Sequence, residues 1–461
     1  MYWRPPGFCL SDGGAVSAMA ESWGRYPKHP QQLFPVHWDE EVPGVTLRLA
    51  AAREGGVLAF GNGRSYGDSC MAVSGQVIGM RGMDRVLSAD WECGVIEVQA
   101  GITLEALIAL ALPQGWFLPV TPGTKFATVG GAVANDVHGK NHHRKGTFGR
   151  HVKGLHMFRT DRGFLHCSPE DQADLYRATI GGLGLTGTIL SVVLQLSRVQ
   201  SSEIAQRTIK FGSLREFFEL SRLHDASHEY AVAWIDCFAR GKALGRGHYI
   251  LGEHAEEGAL TVASPRQMAM SLDPPFSLVT TASLRIFNAV YFHRQLRREV
   301  RVRQGYEPFF YPLDSLLHWN RIYGRAGFQQ YQCVVPAAVA ADAMAEILSA
   351  ISRSGTGSFL AVLKTCGDLA SPGLMSFPMA GVSLALDFAQ IEPQNSRLFA
   401  LLDEIVRTAG GRLYPAKDAH MSPADFQFAY PAWTAVEALR DPCIMSRFWA
   451  RVTQQSMSWH E

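Results

Sequence analysis

Paired cysteines are missing from this chain. Its eight thiols, Cys9, Cys70, Cys93, Cys167, Cys237, Cys333, Cys366 and Cys443, form no Cys-x-x-Cys pair and no cluster. That excludes a zinc ribbon and a disulfide scaffold and makes a reducing compartment the expectation. Excess charge is missing too: 43 Lys and Arg against 42 Asp and Glu leave +1. No broad field recruits nucleic acid, so an anionic partner has to be met by a local patch. No apolar run reaches the ~18 to 20 residues of a membrane span. Residues 1–30, MYWRPPGFCLSDGGAVSAMAESWGRYPKHP, lack the basic start and apolar core of a secretory signal. Internal repeats and low-complexity tracts are absent, which removes solenoid and linker architectures. The expectation is a cytoplasmic protein whose contact with a membrane is peripheral, at the inner face.

What remains is globular material, 47% hydrophobic and 18% charged over 461 residues, too long for one small core and suited to two domains. Residues 1–22, rich in Gly, Pro and Ala, read as a loosely ordered tail. From about 45 the pattern alternates: GVTLRLAAAREGG is a helix stopped by glycines, VLAF a short buried strand, and CGVIEVQAG a strand leading into a helix near Thr103. GTILSVVLQLSRV is a β-branched strand that closes the first compact region near 200. Between 201 and 410, YAVAWIDCFA, FQQYQCVVP and GVSLALDFA read as strands and AAVAADAMAEILSAISRSG as a helix. This is an antiparallel sheet covered by helices, and the fold class is α+β. Residues 411–461 read as helical and polar, returning to the first domain.

Glycine is concentrated in three places. VLAF runs straight into Gly61, Asn62, Gly63, Arg64, Ser65, Tyr66, Gly67 and Asp68. Glycines there permit positive φ and let several amides converge on one point, as a loop grips a pyrophosphate without a basic side chain; a plain strand-to-loop turn fits the same residues. The second segment, PGTKFATVGGAVAN, contains Gly123, Thr128, Val129, Gly130 and Gly131, small residues that admit close approach of main chain to a ligand. The third, Gly182 to Gly187, matches the dinucleotide pattern GxGxxG, but TILSVVLQL follows it, and that fingerprint needs a helix N-terminus. Gly184 and Gly187 are therefore read as backbone approaching something flat or bulky. Together the three segments point to one large, planar, phosphate-bearing ligand.

The second segment ends in DVHGKNHH, Asp136 to His143. A metal reading rests on His138 and His142 being four apart with His143 adjacent. Against it, Gly139 and Asn141 interrupt a helix and Lys140 repels a cation, so no metal is expected. A solvated polar loop and a loop that places His138 over a ligand both stay open.

GNGRSYGD, PGTKFATVGGAVANDVHGKNHH, TIGGLGLTG, WNRIYGRAGFQQYQ, FLAVLK and GGRLYPAKD, in this order, closely resemble the FAD-dependent decaprenylphosphoryl-β-D-ribose 2′-oxidase family. That family lies within the vanillyl-alcohol-oxidase, or PCMH-type, flavoproteins, and the similarity runs from about Trp23 to the carboxyl end. The resemblance implies an FAD-binding domain at 23–200, completed by 411–461, around a substrate domain at 201–410. It implies that 59–69 and 128–131 surround the FAD phosphates and ribityl chain. Gly123 and the run 135–138, Asn135, Asp136, Val137 and His138, would lie beside the isoalloxazine, and Tyr414 would reach it from the carboxyl-terminal segment. The implied reactive edge is Tyr66, His138, Lys140, Gln330, Gln332, Lys364 and Lys417.

Oxidising a secondary alcohol requires a base for the hydroxyl proton. His138, with an ordinary pKa of ~6.5, is assigned that proton, and Lys417 and Tyr66 orienting or electrostatic roles. Lys417 is the other candidate base, able to accept the proton only if burial or neighbouring cations depress its pKa strongly. Two departures from the family matter. Where many superfamily members carry a flavin-linked histidine this chain has Arg64, so the FAD is expected to be non-covalent. Ala385 stands where mycobacterial members carry a cysteine facing the flavin, and Ser383 replaces an asparagine, which together reshape the substrate pocket.

ASLRIFNAVYFHRQLRREVRVRQGYEPFFYP sets Arg285, Arg294, Arg297, Arg298, Arg301 and Arg303 among Phe, Tyr, Leu and Val. This is either an ordinary amphipathic surface or a patch where arginines meet a polyprenyl phosphate or anionic headgroups. The combined expectation is oxidation of the 2′-hydroxyl of a polyprenylphosphoryl pentose to a ketone, with a separate NAD(P)H-dependent reductase completing an epimerisation. A soluble aldonolactone or alditol oxidase of the same fold, and a flavin-binding scaffold without turnover, are the alternatives.

Overall fold

The computed structural model describes residues 19–263 and 267–453. Most of the expected tail, 1–18, lies outside the described residues; Ala20 is buried and its amide donates to the Gln31 carbonyl at 3.2 Å.

An eight-stranded antiparallel sheet carries the middle of the chain. Its order is Glu299–Gly305, Glu203–Phe211, Gly247–His254, Tyr230–Ile235, Ala361–Cys366, Gly381–Ala389, Phe328–Pro336 and Arg412–Leu413. Helices Leu214–His224, Ala340–Ser354 and Gln394–Thr408 cover one face. Each is amphipathic: Leu398, Leu402, Ile405 and Val406 of the last recur at helical spacing and are buried in one cluster with Met344, Ile347, Leu348 and Ile351. The other face is polar for its position. Gln330 pairs with Asp387, Gln332 and Val362 with Ala385, and Lys364 with Ser383. Cross-strand partners project to the same side of a sheet and alternate residues share a face, so these side chains form one surface.

Facing that surface are a parallel three-stranded sheet, Gln32–Pro35, Gln76–Gly79 and Leu58–Phe60 in that order, and a five-stranded antiparallel sheet built from Val86–Asp90, Val95–Gln99, Thr188–Gln195, Val152–Arg159 and Gly163–Cys167. The carboxyl-terminal stretch joins both parts. Leu413 pairs with Cys333 in the large sheet, while Ile444 bridges Val57 and Ser446 bridges Ala72. Phe448, Trp449 and Val452 are buried in one cluster with Val57, Val77 and Ile78, and Arg451 forms ion pairs with Asp68 at 2.8 Å and Asp418 at 2.9 Å. No described helix is long and apolar enough to cross a membrane.

Candidate active site

The glycine segments meet. Gly61 to Tyr66, Gly123, Thr128, Gly130, Gly131, Asn135, Gly184 and Gly187 line one cavity of about 330 Å³. Gly63 and Gly184 have φ of 59° and 75°, the left-handed region where a side chain is strained. A Cβ on Gly123 or Gly184 would have no atom within 4 Å, and one on Gly61 would stand 2.4 Å from Thr128 Oγ1. Missing side chains thus leave room for a ligand and let the first two loops touch.

Polar side chains hold the loops. Thr128 Oγ1 caps the helix Val129–Ala134 by accepting from the Gly131 amide at 3.2 Å, a contact of a kind worth ~1 kcal/mol. Asn62 Nδ2 donates to the Phe126 carbonyl at 2.7 Å, Asn135 Nδ2 to the Gly131 carbonyl at 2.8 Å, and the Tyr414 hydroxyl to the Asn135 carbonyl at 2.8 Å. Among the described residues the main-chain amides of 61–65 donate to no backbone acceptor. The Arg64 guanidinium lies 4.2 Å from the Trp23 ring centroid, with its Nε buried and unpartnered. A fan of amides, one orphaned guanidinium N–H and walls without side chains fit FAD, whose pyrophosphate needs donors and whose flat ring needs clearance.

At the far end the polar face of the large sheet enters. His138, Gln330, Gln332, Lys364, Ala385, Tyr414 and Lys417 line the cavity with Tyr66. Lys364 Nζ donates to His138 Nδ1 and, at 3.0 Å, to the Gly139 carbonyl. Gln332 Nε2 lies 3.1 Å from His138 Nε2. With Nδ1 accepting from Lys364 the ring proton belongs on Nε2, and the Gln332 amide accepts it only in its flipped orientation, with oxygen and nitrogen exchanged. Burial, then Lys364, His142 and Lys417, hold the imidazole pKa well below 6.5. Lys417 Nζ lies 3.8 Å from the Tyr66 ring centroid. Burial pushes Lys417 down to about 7 and Lys364 to about 8, and holds the Tyr66 phenol well above 10. Behind Lys417, buried Asp387 accepts from Gln330 Nε2 at 2.6 Å while its Oδ2 has no partner; burial raises this carboxyl to about 7.

Several residues predicted for the site stand elsewhere. A Cβ on Gly67 would fall 1.7 Å from the Asp418 carbonyl oxygen, Asp68 is taken by Arg451, and Val129 is fully buried in the core. Asp136, at φ 41°, accepts from the Gly149 amide at 2.8 Å and from the Ser371 and Ser376 hydroxyls at 2.6 Å; it anchors the loop and does not face the cavity. Lys140 turns away, donating to the Phe309 carbonyl over the Phe309 ring, and burial lowers it to about 7. Ser383 lies opposite Lys364, one step deeper than Ala385. His142 accepts from the Gly367 amide at 3.2 Å and His143 bonds the His228 carbonyl at 2.9 Å, so neither joins His138 in a ligand set. Of the grouped arginines, Arg298, Arg301 and Arg303 are paired with Glu216 of the helix Leu214–His224, Glu299 of the same strand and Glu203 of the neighbouring strand.

Sequence reasoning missed Trp23, Cys70, Asp314 and Trp319, which line the cavity, and Asp387 behind it. Asp387 could have been found, being two residues from Ala385 on the same strand; nothing local marks Trp319.

A family model described as an FAD binding domain matches residues 40–168. The chain is 33% identical over 434 residues to decaprenylphosphoryl-β-D-ribose oxidase of Mycolicibacterium smegmatis, covering 91% of this chain and 94% of that protein. An uncharacterised protein of Streptomyces coelicolor is 33% identical over 358 residues, 74% of this chain and 95% of its own length. L-gulonolactone oxidase of Mus musculus is 32% identical over 183 residues, 40% of this chain and 41% of the mouse protein.

Proposed function

Because the chain belongs to the decaprenylphosphoryl-β-D-ribose oxidase family and is an FAD-dependent oxidoreductase, we propose that it oxidises the 2′-hydroxyl of a polyprenylphosphoryl-β-D-ribose to the 2′-ketone. The observation that carries this reading is the grouping of Lys417, Lys364, His138 and the two glutamine amides at the end of the glycine cradle. The likeness to a lactone oxidase covers only 40% of the chain, against 91% for the lipid-linked-sugar oxidase, which favours the second over a soluble lactone oxidase.

Bound in the cavity, FAD supplies the acceptor for the hydride of the carbinol carbon. The chain supplies the proton chemistry. Lys417, with its pKa brought to about 7 by burial, is partly neutral at neutral pH, and Nζ takes the hydroxyl proton. His138 has both ring nitrogens engaged and is far less basic than an ordinary imidazole. It serves as a neutral hydrogen-bonded post, and the proton moves from His138, where the sequence reading put it, to Lys417. Gln330, fixed by Asp387, is left with its amide oxygen for a sugar hydroxyl. Tyr66 stays a neutral phenol and orients the same hydroxyl.

The cofactor is held without a covalent bond. Arg64 offers no nucleophile, and Cys70, the thiol lining the cavity, is pushed up to about 12 by burial and stays protonated. A 2′-ketone is half of an inversion, and a separate NAD(P)H-dependent reductase completes the epimerisation towards polyprenylphosphoryl arabinose. Anaerobic titration tests the reading: polyprenylphosphoryl ribose bleaches the flavin band and free aldonolactones do not. Bleaching by lactone alone replaces it with a soluble oxidase, and none with either leaves a scaffold.

A further inference from the structure

The stretch from Leu272 to Leu296 exposes apolar side chains where a surface segment is ordinarily polar. Within helix Thr281–His293, Leu284, Asn288 and Phe292 face inward at four-residue spacing. On the opposite side Ile286 and Val290, also four apart, are 67% and 64% exposed. The run continues beyond both helix ends, with Phe276 at 68% and Leu296 at 92%. Single exposed apolar residues are ordinary, but a concentration of them marks an interaction surface.

Charge identifies the partner. Between Asp273 and Glu299 the sequence carries Arg285, Arg294, Arg297 and Arg298 and no carboxylate. Arg298 is neutralised by Glu216 at 2.6 Å. Arg294 stacks on Tyr291 at 3.7 Å, and among the described residues Arg285, Arg294 and Arg297 form no ion pair. A protein interface generally mixes charge signs to fix register; aliphatic side chains with unpaired arginines alone suit anionic lipid. The segment also borders the cavity. Met268–Ala269 pairs with Leu316–Leu317, the Leu278 amide donates to the Ile322 carbonyl at 2.8 Å, and Leu313 and Trp319, in the same stretch as those partners, line the cavity.

We infer that this face docks on an anionic lipid bilayer, with Phe276, Ile286, Val290 and Leu296 entering the acyl boundary and Arg285, Arg294 and Arg297 meeting headgroup phosphates. The inference rests on the proposed substrate for its purpose: a polyprenyl chain stays in the bilayer while its sugar reaches the cavity along this rim.

Flotation of the FAD-loaded protein with phosphatidylglycerol–phosphatidylcholine vesicles tests it. Binding is expected at low salt, weakening as salt rises, and at least ~10-fold weaker to phosphatidylcholine alone. The triple variant Ile286→Ser, Val290→Ser, Leu296→Ser changes only exposed positions and should lose ~10-fold or more of this binding, with an unchanged flavin spectrum. Its flavin reduction by a short-chain, water-soluble ribosyl phosphate should equal that of the wild type. Wild-type protein that fails to float, or a triple variant that floats equally well, overturns the surface. Wild-type self-association abolished by the triple variant, in place of vesicle binding, overturns it in favour of a second copy. Failure of the short-chain substrate to reduce the wild-type flavin strikes the substrate reading and leaves the flotation result standing.

Discussion

Lys364 grips His138 from behind: its Nζ donates to Nδ1 of the imidazole and to the carbonyl of Gly139, the next residue along. A cation at that distance lowers the basicity of the ring it orients, which separates holding from proton transfer. His138→Ala should keep the bound flavin and slow its reduction about 10- to 100-fold, with the pH dependence preserved. Lys417→Met should slow it by roughly 10²- to 10⁴-fold and abolish the dependence near neutrality. Anaerobic stopped-flow traces across pH discriminate the two; loss of the pH limb in His138→Ala returns the proton to the imidazole.

Asp387 sets where that limb lies. Burial lowers Lys417 to about 7, and the Asp387 charge opposes this by favouring the ammonium form. Reduction should therefore rise with pH through the region around 7, far below an ordinary lysine at ~10.4. Asp387→Asn keeps the shape and removes the charge, so the Lys417 pKa falls further and the limb moves to lower pH. A limb that stays in place, or moves up, shows that the carboxyl does not act on the lysine.

Gly123 lines the cavity with open space where a Cβ would stand. Gly123→Leu sends an isobutyl group towards the volume reserved for the flavin from a Cβ that itself meets no protein atom within 4 Å. The variant should purify folded but colourless, with FAD affinity reduced by at least about tenfold, a 1.4 kcal/mol effect. A yellow variant with unaltered affinity would falsify the placement of the ring beside Gly123.

The covalency argument has its own readout. With arginine at position 64 and a protonated thiol at Cys70, acid precipitation should leave FAD in the supernatant. A yellow pellet identifies a bond that neither residue explains.

The parts of the site that were legible in the sequence are those fixed by local constraints. A glycine at positive φ or beside a cavity declares itself, and Gln330 and Gln332 share a face because strands alternate. The parts that were not legible depend on distant partners. Asp136 reads as a residue beside the flavin ring, yet Ser371 and Ser376 claim it from 235 and 240 residues away. Lys140 is drawn off by the Phe309 carbonyl. The arginines at 298, 301 and 303 read as one basic stripe until the fold sets Glu216 of a helix and Glu203 of the neighbouring strand beside the first and last, and Glu299 pairs with Arg301 along its own strand.

Acid should destabilise the fold through its buried imidazoles. His248, 1% exposed, bonds the Phe292 carbonyl at 3.2 Å and stacks on the Phe292 ring. Burial lowers it from 6.5 to about 4, with smaller contributions in the same direction from Arg294 and Lys210. The unfolded chain binds a proton at this residue below about 6.5 and the folded chain does not until about 4. Proton uptake in that window therefore belongs to the unfolded state, and stability falls as pH falls. For His248 alone the loss approaches an order of 3 kcal/mol by pH 4. His248→Phe is close in shape and cannot titrate, so its stability should drop less between pH 7.5 and pH 4.5 than that of the wild type, by about 2 to 3 kcal/mol in denaturant unfolding. Equal drops in the two proteins would mean that the imidazole is protonated at no cost in the fold.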